Sequence, residues 1–451
     1  MEEIVLKPKD AVDWSYRGEG AVNLVLAYIG SSPTFLGKMM RIHKMPKDGN
    51  ENGDKSENGL TTHEKLIWGD VKELVSCQNK EIKEYLFVKH VMRPLLGHKH
   101  TRLLVAKEFL ESVEKIITSQ RPSWRADAAS VDTNRSSVLL MDDLTLFAHG
   151  KWIFVCLTID KIHVAGVNDL LCFQPKCGFL PSSSFVAEEN VIKKSITRFQ
   201  MHQFLKLKEN EISEISEYDP LDLFSGSKDR IHRAIKALYA TPQNNFRVFL
   251  NGTLVFGGLG GGISKTTSKV EVAFEHILKD IIKTDDGLRA DRFIELVAET
   301  VYSSEVLDQL LDVQKLDKYN IEGAIHVYYD LIDQPCKVCR DLEKSKSLNQ
   351  YSSIHSIPLD EKVKILKDFL ISATAKDCSV MMSFRSTDVR LSRSSSHSNL
   401  HLESTKQEFE YKVHFIDLDM RPLKKMEVYY ELDKKIMNTY LEMLKKKGDQ
   451  P

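Results

Sequence analysis

Tyr16-Arg-Gly-Glu-Gly-Ala-Val-Asn-Leu-Val-Leu-Ala-Tyr28 reads as a strand, a glycine turn and a returning strand. Ser31-Ser-Pro33 supplies the next turn, and Phe35–Ile42 reads as a third strand, so residues 11–42 open the chain as a β-rich unit. Gly18 and Gly20 let backbone amides approach an anion, and Asn23 begins the returning strand, so the hairpin can cover a phosphate group. A lone G-x-G is a weak signal, and a plain hairpin turn is the commoner reading. Arg41, in K-M-M-R-I, adds a cation where a phosphate would need one; Lys38 is the other candidate, on the opposite strand face.

Beyond the hairpin, residues 46–60 read as a polar loop, Thr61–Val75 as one capped helix and Val138–Asp143 as a short buried strand with an acidic link. Ser184–Asn210 reads as one long helix. Further helices are expected in 227–240, 269–283, 287–316 and 359–374, with strands at Ser379–Phe384 and Tyr411–Leu418. Val389–Thr405 is Ser-rich and reads as a disordered insert, and Pro422–Lys447 as a final helix. The order of elements predicts an α+β protein with a small β-rich N-lobe and a larger α+β C-lobe.

The bulk numbers agree with that size. At 451 residues, the chain suffices for about two or three domains. Hydrophobic residues make up 42% and charged ones 28%, as in a soluble protein. The net charge of −1 argues against a nucleic-acid partner, so any polyanion site must come from local clustering. No apolar run reads as a signal peptide or a membrane span, and seven cysteines without a small-domain framework fit a reducing compartment. A monomer in the cytoplasm or nucleus is the expectation.

Phe173-Gln-Pro-Lys-Cys-Gly-Phe-Leu-Pro181 is the most informative local motif. Two prolines stiffen it, Gly178 permits a close turn, and Lys176 is its single charge, an arrangement suited to placing an anion. A Pro-bounded loop with a surface lysine is the plainer alternative. Val191–Lys206 carries Lys194, Arg198, His202 and Lys206 at i, i+4 steps, one basic face that either meets a ligand or is simply solvated. Asn244, Asn245 and Arg247 precede an apolar strand, and Arg125, Arg421, Lys424 and Lys425 are further cations, with Tyr429 one turn beyond Lys425.

Asp377 lies just before one apolar strand and Asp417 ends another, places where a catalytic base and a Mg²⁺ ligand can face one cleft; each alone also suits a turn or cap. His326, Cys336, Cys339 and His355 form H-x9-C-x2-C-x15-H, a donor set for structural Zn²⁺. Gly257–Thr267 imitates a P-loop, but Ser264 precedes Lys265 and the spacing fails, so it reads as a loop.

Taken in order, Y-R-G-E-G-A-V-N-L-V, R-P-S-W-R, P-K-C-G-F-L-P, R-F-Q-M-H-Q, Y-D-P-L-D-L-F-S-G, T-P-Q-N-N-F-R-V-F-L, the Cys/His set, T-A-K-D-C-S and Y-K-V-H-F-I-D-L resemble the plant-type inositol-pentakisphosphate 2-kinase family through most of the chain. The resemblance implies a two-lobed kinase-like fold that uses ATP and Mg²⁺ to phosphorylate the 2-hydroxyl of inositol 1,3,4,5,6-pentakisphosphate, giving the hexakisphosphate, phytate. It implies that Gly20, Ala21, Val22, Asn23 and Arg41 contact ATP phosphates and that Asp142, Asp143 and Leu144 form the adenine hinge. Lys176, Lys206, Arg247 and Arg125 would hold substrate phosphates beside Asn244 and Asn245, with Arg421, Lys425 and Tyr429 closing the pocket. Asp377 would accept the hydroxyl proton, and Asp417 would hold Mg²⁺. The implied divisions are 1–147 as N-lobe and hinge, 148–173 as an atypical segment, and 174–451 as C-lobe. The family's E-x-K-P-K reads C-F-Q-P-K here, with Cys172 for the carboxylate and Gln174 for the first lysine. A second reading therefore stands beside the kinase: an inositol-polyphosphate binder that transfers phosphate poorly. The unfamiliar Gly150–Phe173 reads as an alternative-splice or gene-model product.

Overall fold

The computed structural model describes residues 5–19, 23–47, 59–78, 80–97, 100–143, 169–250, 253–257, 266–342, 351–387 and 398–448. The chain is α+β and divides into two compact units, one of residues 1–61, 71–168 and 250–253, the other of 62–70, 169–249 and 254–451.

In the first unit, the opening hairpin forms strands Trp14–Glu19 and Asn23–Tyr28, followed by Lys38–Pro46. They belong to a seven-stranded sheet in the order Val5–Leu6, His100–Val105, Ser137–Asp142, Lys38–Pro46, Asn23–Tyr28, Trp14–Glu19, with Ala129–Val131 paired to the far end of Lys38–Pro46. Alternation decides which face is buried: Leu24, Leu26, Met40 and Ile42 point into one core. The helix Lys107–Ile117 covers them with Phe109, Leu110, Val113 and Ile117, a helical stripe that the sequence reading left unassigned. Glu19, at the end of the first hairpin strand, is buried. Burial alone would raise its carboxyl, but bonds from Arg121 (2.8 Å) and Lys44 (2.5 Å) hold it below the usual carboxylate range.

The second unit is built on a six-stranded sheet ordered Thr253–Phe256, Phe246–Leu250, Asp169–Phe173, Ser379–Thr387, Gln407–Ile416, Ser398–Leu402. Asp169–Phe173, the end of the atypical segment, is an inner strand antiparallel to Ser379–Thr387, with Phe173 opposite Val380 and Cys172 opposite Met381. Residues 148–168 of that segment, and Ser264 and Lys265 of the glycine-rich loop, lie outside the described residues.

Several expected elements are divided. Thr61–Val75 is two helices, Thr62–Ile67 and Lys72–Ser76, with a turn at Gly69, where a helix interior is least favoured. The first helix belongs to the second unit: Lys367 reaches Asp70 at 2.6 Å and Glu64 accepts from the Leu423 amide at 3.1 Å. Ser184–Asn210 is a 3₁₀ segment, Glu188–Lys194, and a separate helix, Arg198–Lys208. Thr197 is extended there and forms a capping box with Gln200, worth about 1 kcal/mol, so a new helix starts at Arg198. The expected helix over 287–316 breaks at Glu305, whose φ is 51°. Part of the Ser-rich insert is ordered: Ser398–Leu402 pairs with Gln407–Ile416 and buries Leu400 and Leu402; residues 388–397 lie outside the described residues.

Candidate active site

The Pro-bounded motif is held by its neighbours as much as by its prolines. Lys176 has φ 62°, a left-handed conformation that costs a lysine free energy unless its surroundings impose it. Three bonds impose it here. The buried Tyr218 hydroxyl donates to the Pro175 carbonyl at 2.7 Å. Gln314 donates to the Lys176 carbonyl at 2.8 Å and accepts from the Gly178 amide at 2.8 Å. Gly178 is required by packing, because a Cβ there would meet the Phe224 ring at 2.3 Å.

So held, the Lys176 ammonium donates to Gln174 Oε1 at 2.7 Å and stands 3.9 Å from Asp377 Oδ1. Burial lowers its pKa to about 8; Asp377 opposes the shift, while Lys206 and Arg198 add to it. Asp377 is the last residue of the helix Leu359–Asp377, three residues longer than the sequence predicts. Its other carboxylate oxygen accepts from Arg421 Nη2 at 2.6 Å. Tyr429 is half-buried beside the same pair; burial raises its pKa, with Arg421 and Asp377 acting in opposite senses.

Sheet register brings Asp417 to the same place. Ser379 pairs with Ile416, so Asp417 follows directly beside Cys378 and Asp377. The Ser379 hydroxyl donates to Asp417 Oδ2 at 2.9 Å, and the Asp417 backbone is left-handed, with φ 64°. Buried Cys378 between them has its thiol pushed up, first by burial and then by Asp417 and Asp377.

The helix Arg198–Lys208 supplies the basic face. Arg198, His202 and Lys206 share it; Lys194, in the preceding 3₁₀ segment, is off this helix, so the expected four-residue stripe is three. Burial and then Arg198, Lys206 and Lys176 depress the His202 pKa to about 3, so this imidazole is neutral amid cations. Asn245 is buried, its carbonyl accepting from the Gln174 amide at 3.0 Å, whereas Asn244 and Lys425 are exposed and Arg247 is half-buried.

In the first unit, Asn23 and Arg41 meet. In the amide orientation that satisfies both groups, Asn23 accepts from Arg41 Nε at 3.1 Å and donates to His43 Nδ1 at 3.2 Å. Arg125 stacks on Trp124, its guanidinium carbon 4.2 Å from the ring centre. Asp143 is buried and its amide donates to the Gly37 carbonyl at 2.8 Å. Gly20, Ala21, Val22 and Leu144, and the Asp142 side chain, lie outside the described residues.

His326, Cys336, Cys339 and His355 converge, with their candidate ligand atoms all within 4.8 Å of one another. Cys336 and Cys339 Sγ lie 3.4 and 3.2 Å from His326 Nδ1, and Cys339 Sγ lies 3.1 Å from His355 Nε2. A tetrahedral zinc site has ligand–ligand edges of roughly 3.3–3.8 Å, so this donor set fits one. Burial and then the His355 neighbour, opposed by Asp330, bring the His326 pKa down to about 4. Asp330 accepts from His355 Nδ1 at 2.8 Å, leaving Nε2 free to ligate, and is itself paired with Lys362.

Sequence reasoning missed Asp330, although it lies one helical turn beyond His326 on the ligand face. It also missed Gln314, for which the local sequence gives no signal.

The family model described as inositol-pentakisphosphate 2-kinase matches residues 16–435. The chain is 52% identical over 446 residues to the inositol-pentakisphosphate 2-kinase of Arabidopsis thaliana, covering 97% of this chain and 95% of that protein. It is 45% identical over 444 residues to that of Oryza sativa subsp. indica, with coverage of 97% and 95%, and 26% identical over 507 residues to that of Danio rerio, with coverage of 97% and 94%. A match that spans nearly the whole chain takes in the Lys176 turn, both aspartates and the Cys/His cluster, and the chain belongs to the inositol-pentakisphosphate 2-kinase family.

Proposed function

We propose that this protein transfers the γ-phosphoryl group of ATP to the 2-hydroxyl of inositol 1,3,4,5,6-pentakisphosphate. Beyond family membership, the reading rests on one observation: Asp377 Oδ1 stands 3.9 Å from a phosphate-type cation, Lys176, while its Oδ2 is held by a second, Arg421. A carboxylate so placed accepts the hydroxyl proton while the flanking cations hold the substrate's phosphates and screen the developing charge. Lys206, Arg247, Asn244, Asn245, Lys425 and Tyr429 complete the substrate pocket in this reading. Asn23 and Arg41, with Gly20, Ala21 and Val22, serve the ATP phosphates, and Asp142 to Leu144 the adenine.

Asp417 offers hard oxygen donors fitted to Mg²⁺, which when bound neutralises charge on the nucleotide phosphates. Proton removal belongs to Asp377 and substrate orientation to the cations. Discrimination follows from the same cations, because a ligand lacking a phosphate leaves them unpaired. The Cys/His cluster, in this reading, holds one structural Zn²⁺. No described residue favours the impaired binder: Gln174 accepts from Lys176 and leaves the ammonium in the site. Among the described residues, no helix is long and apolar enough to cross a membrane. Conversion of inositol pentakisphosphate to the hexakisphosphate by purified protein with ATP and Mg²⁺ tests the proposal; no product at high enzyme concentration would refute it.

A further inference from the structure

Gln314 ends the helix Val306–Gln314 and is wholly buried. Its side-chain amide makes three bonds. One hydrogen goes to the Lys176 carbonyl at 2.8 Å and the other to the Ala375 carbonyl at 3.2 Å, while its oxygen takes the Gly178 amide at 2.8 Å. Two of these bonds fix the left-handed turn at Lys176. The third takes a carbonyl at the end of the Leu359–Asp377 helix, two residues before Asp377, where helices leave such groups unpaired. Two further bonds tie the same segments. The Ser372 hydroxyl donates to the Gln314 carbonyl, and Asp317 pairs with Lys376 at 2.7 Å.

We propose that Gln314 is a positioning residue that sets the separation between the Lys176 ammonium and the Asp377 carboxylate; this rests on the kinase reading above. Only a primary amide of this length can donate twice and accept once here. Glutamate lacks both donated hydrogens when ionised, and asparagine is one methylene short. A displaced base or phosphate cation loses rate more than affinity, since reaction needs near-ideal alignment and binding does not.

Gln314→Met keeps the length of the side chain and removes all three bonds. The expected result is a folded protein with kcat reduced tenfold or more, while binding of inositol hexakisphosphate, measured by calorimetry, weakens by a smaller factor. Gln314→Glu still accepts from Gly178 and regains one donated hydrogen when protonated, so its kcat relative to wild type should rise as pH falls. If Gln314→Met does not fold, Gln314→Glu carries the test. A folded variant with wild-type kcat and a pH profile parallel to wild type overturns the proposal. Absence of turnover by the wild type would instead refute the kinase reading, so the two failures are distinguishable.

Discussion

The Lys176 ammonium stands 3.9 Å from Asp377 Oδ1, and the other oxygen of the same carboxylate is held by Arg421 at 2.6 Å. The Asp377 carboxylate thus partly neutralises two cations. In the kinase proposed above, a polyphosphate would take over that role and release the carboxylate to meet a hydroxyl.

If Lys176 holds a substrate phosphate as proposed, ligand binding is pH-dependent. Its pKa of about 8 lies below the ordinary lysine value, so the free folded protein sheds this proton from about pH 8 upward while the unfolded chain keeps it to about 10.5. Burial of the charged lysine therefore costs stability below about pH 8, and that cost is relieved as pH rises toward 10.5. In the proposed site, phosphate binding needs the ammonium and acts in the opposite sense. Affinity for inositol hexakisphosphate should fall above pH 8, by at most about tenfold per pH unit, with proton uptake on binding. Calorimetry in buffers of different ionisation enthalpy reads this; proton release at pH 8.5 would contradict it.

Gln174→Lys places a second ammonium beside Lys176 in place of an accepting amide. The KM for inositol pentakisphosphate should fall by up to about tenfold, since an added phosphate contact is charge-assisted. The kcat should stay within about tenfold of wild type, because the proposed base, Asp377, is untouched. Steady-state kinetics on both proteins decide it: a variant more than a hundredfold faster than wild type would revive the impaired-binder reading.

Cys339→Ser removes the proposed ligand whose sulfur lies near both His326 and His355. Elemental analysis of protein purified without chelator should find one zinc per wild-type chain and a substoichiometric amount in the variant. The melting temperature should fall by several degrees, because a closed four-ligand site stabilises its loop directly. Zinc-free wild-type protein would remove the metal from the account.

Legibility in the sequence followed locality. The opening hairpin, the strand before Asp417 and the C-terminal helix were readable because alternation and helical spacing are local signals. The break before Arg198 was also present, as Thr197 and Gln200 form a T-x-x-Q capping box, but the i, i+4 cations from Lys194 onward imitated one continuous helix. Asp377 and Asp417 were readable as strand-end carboxylates; their juxtaposition depends on Ser379 facing Ile416, which no local pattern specifies. Gln314 was illegible for the same reason. Its three side-chain bonds reach residues 61 to 138 positions away in sequence, and a buried glutamine looks like any polar helix-end residue until the chain is folded.

The central claim is that Asp377 is the base of an inositol-pentakisphosphate 2-kinase. The direct measurement compares wild type and Asp377→Asn for ATP-dependent conversion of inositol pentakisphosphate to the hexakisphosphate, with calorimetric binding of the hexakisphosphate in parallel. The account predicts turnover by the wild type and a loss of roughly a hundredfold or more in the variant, as for removal of a general base. Binding should be kept or strengthened, because Arg421 and Lys176 lose a competing carboxylate charge. A variant that turns over near the wild-type rate, or a wild type that makes no product, would contradict it.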